Sequence, residues 1–277
     1  MMYEDLYMPL PDPDRYLERT GIRQRKQPDL EWLNEILWAH QTTVPFENIM
    51  IYDERQPVSL GIPALYDKIV IRRRGGYCFE LNGLLARALS DLGYEVQTCA
   101  VKIVRGKSGH VPVMHEGILV FLDGELYYCD VGNGGHQPAC ACLVRPDAET
   151  DCRGDIFRVT VHDQYWRQLS RLTAEGTALP QVRFCLLPMD PVDFLFLNEH
   201  TSLHPDSIFT RQHYLQRRLP EGSVHILDRT FTLRQKSDGK AAGIIEEVWE
   251  IGSAEELRDL VVRHFLPDLP EEVALRL

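Results

Sequence analysis

The chain has 277 residues, 44% hydrophobic and 26% charged, a composition that lets a globular protein bury a sizeable core. Its 41 acidic residues against 30 lysines and arginines give a formal net charge of -11, which argues against a general nucleic-acid or anionic-membrane binder, because both partners need an electropositive surface. No apolar run reaches the roughly 18 residues of a membrane span.

The opening residues MMYEDLYMPLPDPD are acidic and proline-interrupted, without the basic start and apolar stretch of an export signal, so the expected location is cytoplasmic. Asp12 and Pro13 can start a short helix. Pro28 and Asp29 precede a longer one with Leu30, Leu33, Ile36 and Leu37 on one side. Residues 74–83, RGGYCFELNG, place Cys78 between a glycine pair and the repeat Leu81, Leu84, Leu85, Ala88 and Leu92, which predicts a helix from about Cys78 to near Gly93. The texture then changes to strand over 94–104 and 111–131, with further short strands at 157–161, 181–187 and 223–233, the pattern of a small barrel or curled sheet. Ser253 with Glu256 forms a capping-box pattern ahead of Leu257, Leu260, Val261 and Phe265. The reading is an α+β chain of three packed units: helical over 1–92, mostly strand over 93–200 and mixed over 201–277.

Cys78 is the candidate nucleophile. In the first turn of a helix, free N–H groups and the helix dipole favour a thiolate, and Arg72, Arg73 and Arg74 add positive charge, so a lowered pKa is expected. Gly75 and Gly76 would allow a tight backbone approach that keeps the sulfur accessible. A base is supplied by a hairpin. Asp123-Gly124 between apolar runs predicts a two-residue type I′ turn with Leu122 opposite Glu125. His115 then faces Gly132 and Gly117 faces Asp130, which makes His115 and Asp130 diagonal neighbours on one face, roughly 7–8 Å apart at the backbone. His110 is the weaker histidine, cut off by Pro112, and Glu116 falls on the opposite face, to be read as solvated or structural. Cys78, His115 and Asp130 fill the roles of nucleophile, base and orienting carboxylate.

These segments resemble the arylamine N-acetyltransferase family. RGGYCFELNGLL is similar to its nucleophile segment, the order Cys78, His115, Asp130 to its triad and DVGNGG to its aspartate-glycine loop; VPFENIMIY, just after His40, is similar to its N-terminal signature and DFLFLNEHTSLHPDSIF to the segment linking barrel and lid. The resemblance implies a helical bundle, a β-barrel and an α/β lid around a cysteine-protease-like core. It also implies ping-pong transfer of an acetyl group from acetyl-CoA, or another acyl-CoA, to a small aromatic amine or hydrazine, with no tightly bound cofactor. By the same resemblance Phe46 and Phe209 are pocket walls. Gly132, Gly134 and Gly135 would offer N–H groups to CoA phosphate, with Lys102, Arg105 and Lys107 adding charge. Asn133 departs from the family loop, which usually has an aromatic residue there; the amide suits either a more polar acceptor or a loop repacked around Gly134 and Gly135. A papain- or transglutaminase-like hydrolase uses the same order of Cys, His and Asp, and an amide synthase of a biosynthetic pathway also fits the family motifs.

Seven cysteines, an odd number, favour reduced thiols over a disulfide framework. A structural zinc site on His136, Cys140, Cys142 and Cys152 has suitable ligand types but no strong two-plus-two spacing; no metal is expected.

Overall fold

The computed structural model describes residues 3–135, 137–236 and 244–277. Asp12 caps the first helix, α1 (Pro13–Arg19), by accepting the N–H groups of Asp14 and Arg15; Asp29 caps α2 (Leu30–Thr43) by accepting that of Trp32. Two short helices, α3 (Ile49–Tyr52) and α4 (Ile62–Tyr66), and a π-helical turn at Asp67–Ile71 lead to α5 (Cys78–Asp91). Gly93, at φ +97°, ends α5 close to where periodicity placed it. Trp32, Leu33, Ile36, Phe79, Leu81, Leu84 and Leu85 are fully buried where these helices meet.

Eight antiparallel strands follow: β1 (Glu95–Ile103), β2 (His115–Leu122), β3 (Glu125–Cys129), β4 (Cys142–Leu143), β5 (Glu149–Cys152), β6 (Asp155–Val161), β7 (Trp166–Leu172) and β8 (Ala178–Pro188). They form one sheet in the order β4-β3-β2-β1-β8-β7-β6-β5, curled until its two edges nearly meet. A Cys140–Cys152 disulfide and the Leu143 N–H to Thr150 Oγ1 bond tie those edges. Strand alternation divides the side chains of β2. Leu119 points into the barrel with Tyr128 and Phe184, whereas Ile118 and Val120 face the helical core.

The chain then runs through α6 (Phe194–Leu203) and α7 (Ile208–Arg211) into a second antiparallel sheet, β9 (Tyr214–Leu219), β10 (Gly222–Leu227), β11 (Thr230–Lys236) and β12 (Ile244–Glu250), backed by α8 (Ala254–His264) and the short α9 (Glu271–Ala274). The predicted strand at 223–233 is a hairpin, β10 and β11, folded at Asp228. At α8 the Ser253 hydroxyl caps Glu256 N–H as expected, while the Glu256 carboxylate takes the Gly252 N–H. The second sheet reaches the helical unit through a backbone bridge between Phe46 and Gln216. The architecture is α+β, helices packed on a nearly closed barrel-like sheet.

Candidate active site

Cys78 is the first residue of α5, and the Glu80 carboxylate accepts the Tyr77 N–H just before it at 3.1 Å. The glycine pair docks this turn rather than opening it. A Cβ on Gly75 would lie 2.1 Å from the Pro45 carbonyl oxygen, and the Glu47 N–H donates to the Gly76 carbonyl at 2.9 Å. The sulfur is consequently not exposed; Cys78 is 4% accessible.

The expected fall in thiol pKa does not occur. Burial pushes the Cys78 thiol well up; the Phe79 N–H, at the helix start, opposes this, but Glu116, Asp130 and Glu80 add to the rise. The upstream arginines are already neutralised. Arg72 pairs with Asp67, Arg73 with Asp268, and Arg74 with Glu47 and Glu54, at 2.7 to 3.2 Å.

The hairpin is as the turn chemistry requires. Asp123 and Gly124 both have positive φ, 52° and 80°, and Leu122 stands opposite Glu125. Pairing ends at Ile118 and Cys129; beyond it His115 Nε2 lies 2.8 Å from Asp130 Oδ2. Both residues are buried, and Nδ1 is the ring nitrogen turned from the carboxylate. His110 sits exposed in the preceding loop. Asp130 also accepts from the Tyr128 hydroxyl at Oδ2 and from Asn82 Nδ2 and the Gly132 N–H at Oδ1, each at 2.9 Å. Burial works against its charge, but the electrostatic attraction of His115 and the hydrogen bonds from His115, Asn82 and Gly132 outweigh it and hold the carboxyl below its ordinary range. Through Gly132 this loop lies directly on the candidate nucleophile, since a Cβ there would be 2.9 Å from Cys78 Cα.

Asn82 and Tyr128 were not singled out from the sequence, although spacing carries both. Asn82 is one helical turn beyond Cys78, and Tyr128 shares the strand face of Asp130. Asn82 further accepts the Val131 N–H at 2.9 Å and donates to the Glu116 carbonyl at 2.6 Å, locking α5 to both strands of the hairpin. Glu116 does lie opposite His115, facing α5, but it is not solvated: it is 3% exposed.

Phe46 and Phe209 come together with ring centroids 5.9 Å apart, with Tyr214 edge-on to Phe46 at 5.2 Å and Tyr77 edge-on to Phe209 at 5.6 Å. Tyr214 donates its hydroxyl to the Gly134 carbonyl, joining this aromatic wall to the Asp130 loop. Asn133 turns its amide oxygen to Arg105 Nη2 at 2.5 Å. The phosphate cradle expected from the glycines is not formed as predicted. The Gly132 N–H is committed to Asp130, Lys102 lies over the Trp166 ring, and Arg105 fills the space where Gly135 would carry a side chain. Gly135 instead edges a cleft of about 340 Å³ with Arg153 and Arg218. Both guanidinium groups lie over Trp38, at 3.9 and 5.9 Å, and neither forms an ion pair among the described residues.

The cysteine expectations need correction. Cys140 and Cys152 are disulfide-bonded, and the other five cysteines are free and buried. The bond forms because barrel closure brings the two sheet edges together, and it removes two of the four zinc donors. His136 lies outside the described residues. No group of three or more metal-ligating side chains occurs among the described residues, and no helix among them is long and apolar enough to cross a membrane.

Comparison with known proteins places this geometry. An N-acetyltransferase family model matches residues 29–272. The arylamine N-acetyltransferase of Mycolicibacterium smegmatis is 32% identical over 199 residues, 70% of this chain and 72% of that protein; human arylamine N-acetyltransferase 1 is 29% identical over 246 residues, 81% and 83%. The solved M. smegmatis arylamine N-acetyl transferase superposes with a TM-score of 0.85 at 29% identity, covering 96% of this chain and 97% of that one. A family model that spans most of the chain, relatives matched over more than two thirds of their length and a shared fold lead to one conclusion: the chain belongs to the arylamine N-acetyltransferase family.

Proposed function

We propose that the chain transfers an acetyl group from acetyl-CoA to an arylamine, hydrazine or related small amine through an acyl-cysteine on Cys78. The observation that carries this reading is the buried His115–Asp130 pair, held by Asn82 and Gly132 against the helix that Cys78 begins. A lone thiolate is disfavoured in this buried position, so the proton must leave to a base at the moment of attack. His115 takes it through Nδ1 while Asp130 holds Nε2 and stabilises the imidazolium. The sulfur bonds to the thioester carbonyl carbon, the CoA carbon–sulfur bond breaks, and the departing thiolate takes the proton from His115. In the second half the amine attacks the acyl-cysteine, gives its proton to His115, and the Cys78 sulfur leaves with that proton restored.

The aromatic wall of Phe46, Phe209 and Tyr214 suits a flat aromatic acceptor, with Asn133 adding a polar group paired to Arg105. Arg153 and Arg218, unpaired by carboxylates and next to Gly135, suit CoA phosphates. The donor need not be acetyl alone: an N-malonyltransferase of Gibberella moniliformis is 36% identical over 154 residues, 49% of this chain and 45% of that protein. Five free thiols and the acidic surface charge accord with a cytoplasmic enzyme.

Intact-mass measurement after mixing with acetyl-CoA, without amine, tests the reading. One acetyl mass should appear on the tryptic peptide carrying Cys78 and be discharged by an arylamine to give the N-acetyl product. A label that decays to acetate at the same rate with or without amine would make the chain a hydrolase instead. Malonyl-CoA in place of acetyl-CoA assigns the donor.

A further inference from the structure

The β2 residue next to His115 opens a second site. Glu116 lies on the α5-facing side of the strand with Ile118 and Val120, 3% exposed, and its carboxyl makes no hydrogen bond or ion pair among the described residues. It lines a cavity of about 600 Å³ behind the nucleophile helix, none of whose walls is Cys78, His115, Phe46 or Phe209. A Cβ placed on Gly83, on the same wall, would stand 3.9 Å from Glu116 Oε2, so the missing side chain keeps the carboxyl open to the cavity. A cavity of about 150 Å³ already takes up benzene, so this one has room for a one-ring ligand.

Its lining is apolar where it is deep and acidic where it opens. Leu60, Ile62, Phe79 and Phe194 form buried walls, while Asp190 and Asp193 stand exposed at the mouth. The one basic side chain in the lining, Arg87, is paired with Asp91. Three carboxyl groups therefore face the cavity against one neutralised guanidinium, which selects a cation over an anion.

We propose that this cavity is a binding site for a small organic ammonium ion with an apolar body, its nitrogen paired with Glu116. Burial and the Asp130 charge push the Glu116 carboxyl well above its ordinary range, and Glu116 in turn acts on the buried thiols of Cys78 and Cys99. Burial thus favours the protonated form of Glu116 before the ligand arrives. When an ammonium ion enters, the carboxyl loses its proton to solvent and the carboxylate accepts N–H bonds from the ligand; one proton is released per ligand bound. The site does not depend on what Cys78 carries.

The test uses the full chain carrying Cys78→Ala, so that no acyl-cysteine forms and no turnover occurs. Calorimetry compares 2-phenylethylammonium with its neutral counterpart 2-phenylethanol at pH 7 in two buffers of different ionisation enthalpy. The expected result is that the ammonium ion binds at least about tenfold tighter and releases close to one proton. Glu116→Gln should abolish both the discrimination and the proton release, and Gly83→Leu, which sets a side chain between the Glu116 carboxyl and the cavity, should abolish the preference for the ammonium ion. Absence of ammonium binding, equal affinity for the alcohol, or binding untouched by both substitutions would overturn the proposal.

Discussion

Tyr128→Phe isolates one hydrogen bond of the carboxylate network. The Tyr128 ring is fully buried and stacked on Phe184 with centroids 4.4 Å apart, and a phenylalanine keeps that contact and nearly all of the volume. What is lost is a hydroxyl donating at 2.9 Å to Asp130 Oδ2, the oxygen that also faces His115. Hydrogen bonds to charged groups are worth about 1.5–3 kcal/mol, and both residues are buried, Tyr128 at 0% and Asp130 at 1% exposure. The variant should therefore unfold in urea at pH 7 with about 1.5–3 kcal/mol less stability and an unchanged m-value. The pH dependence has a fixed sign. Asp130 is held below its unfolded value of about 3.9, so its network is fully stabilising above that pH and is lost as pH falls through the lower folded value. The difference between parent and variant should stay constant down to about pH 4 and narrow below it. Acetyl transfer should fall roughly tenfold in kcat with little change in KM, because the base is less firmly held while the binding walls are untouched. Equal stability within about 0.5 kcal/mol at pH 7 would refute the assignment of Tyr128 as a donor to a buried carboxylate.

Gly132→Ala places a Cβ 2.9 Å from Cys78 Cα and carbonyl oxygen. It should cost about 1–3 kcal/mol in urea unfolding by overpacking and slow acylation in stopped-flow mass measurement, whereas an unaffected acylation rate would show that the Asp130 loop does not set the position of the nucleophile. His40 is fully buried against Tyr16, and burial, with Arg19, lowers its pKa to about 3. Its unfolded form takes up a proton near pH 6.5, so stability falls as pH drops from there towards the folded value, by about 1.4 kcal/mol per pH unit for this residue; His40→Asn should flatten the stability profile between about pH 6 and 4 by that slope. Reduction of Cys140–Cys152, or Cys152→Ala, opens a loop of 12-residue separation and should cost about 3 kcal/mol of stability, measured with and without a thiol reductant.

What could be read from the sequence was local. The α5 periodicity from Leu81 to Leu92 needs nothing beyond its own residues, and Asp123-Gly124 fixes a register by turn chemistry alone, so the helix that Cys78 begins and the His115–Asp130 face were both legible. Strand β7 was not. WRQLSRL carries no β-branched residue and becomes a strand because β6 and β8 pair with it on both sides. The disulfide was hidden for the same reason, since Cys140 and Cys152 meet where the barrel closes. Charge was the least legible feature. Three consecutive arginines beside a cysteine read as a cationic field, but Asp67 pairs with Arg72, and Glu47, Glu54 and Asp268 reach Arg73 and Arg74 from elsewhere in the chain and cancel it.

That cancellation changes how the proposed nucleophile must work. With the arginines paired, and with Glu80 and Asp130 adding negative potential, the counter-charge for a thiolate at Cys78 is, among the described residues, the imidazolium that His115 forms on taking its proton. Asp130 cannot take the proton instead, because four donors occupy its two oxygens and hold it in the charged form. The proton therefore passes between sulfur and imidazole, and burial raises the cost of a thiolate that lacks this partner. A helix-start thiolate would stand ready for any electrophile. Here the anion is formed as a pair with His115, so reactivity depends on a substrate that can lie against Gly132 and the aromatic wall while the proton moves, which ties the chemistry of Cys78 to occupation of the site.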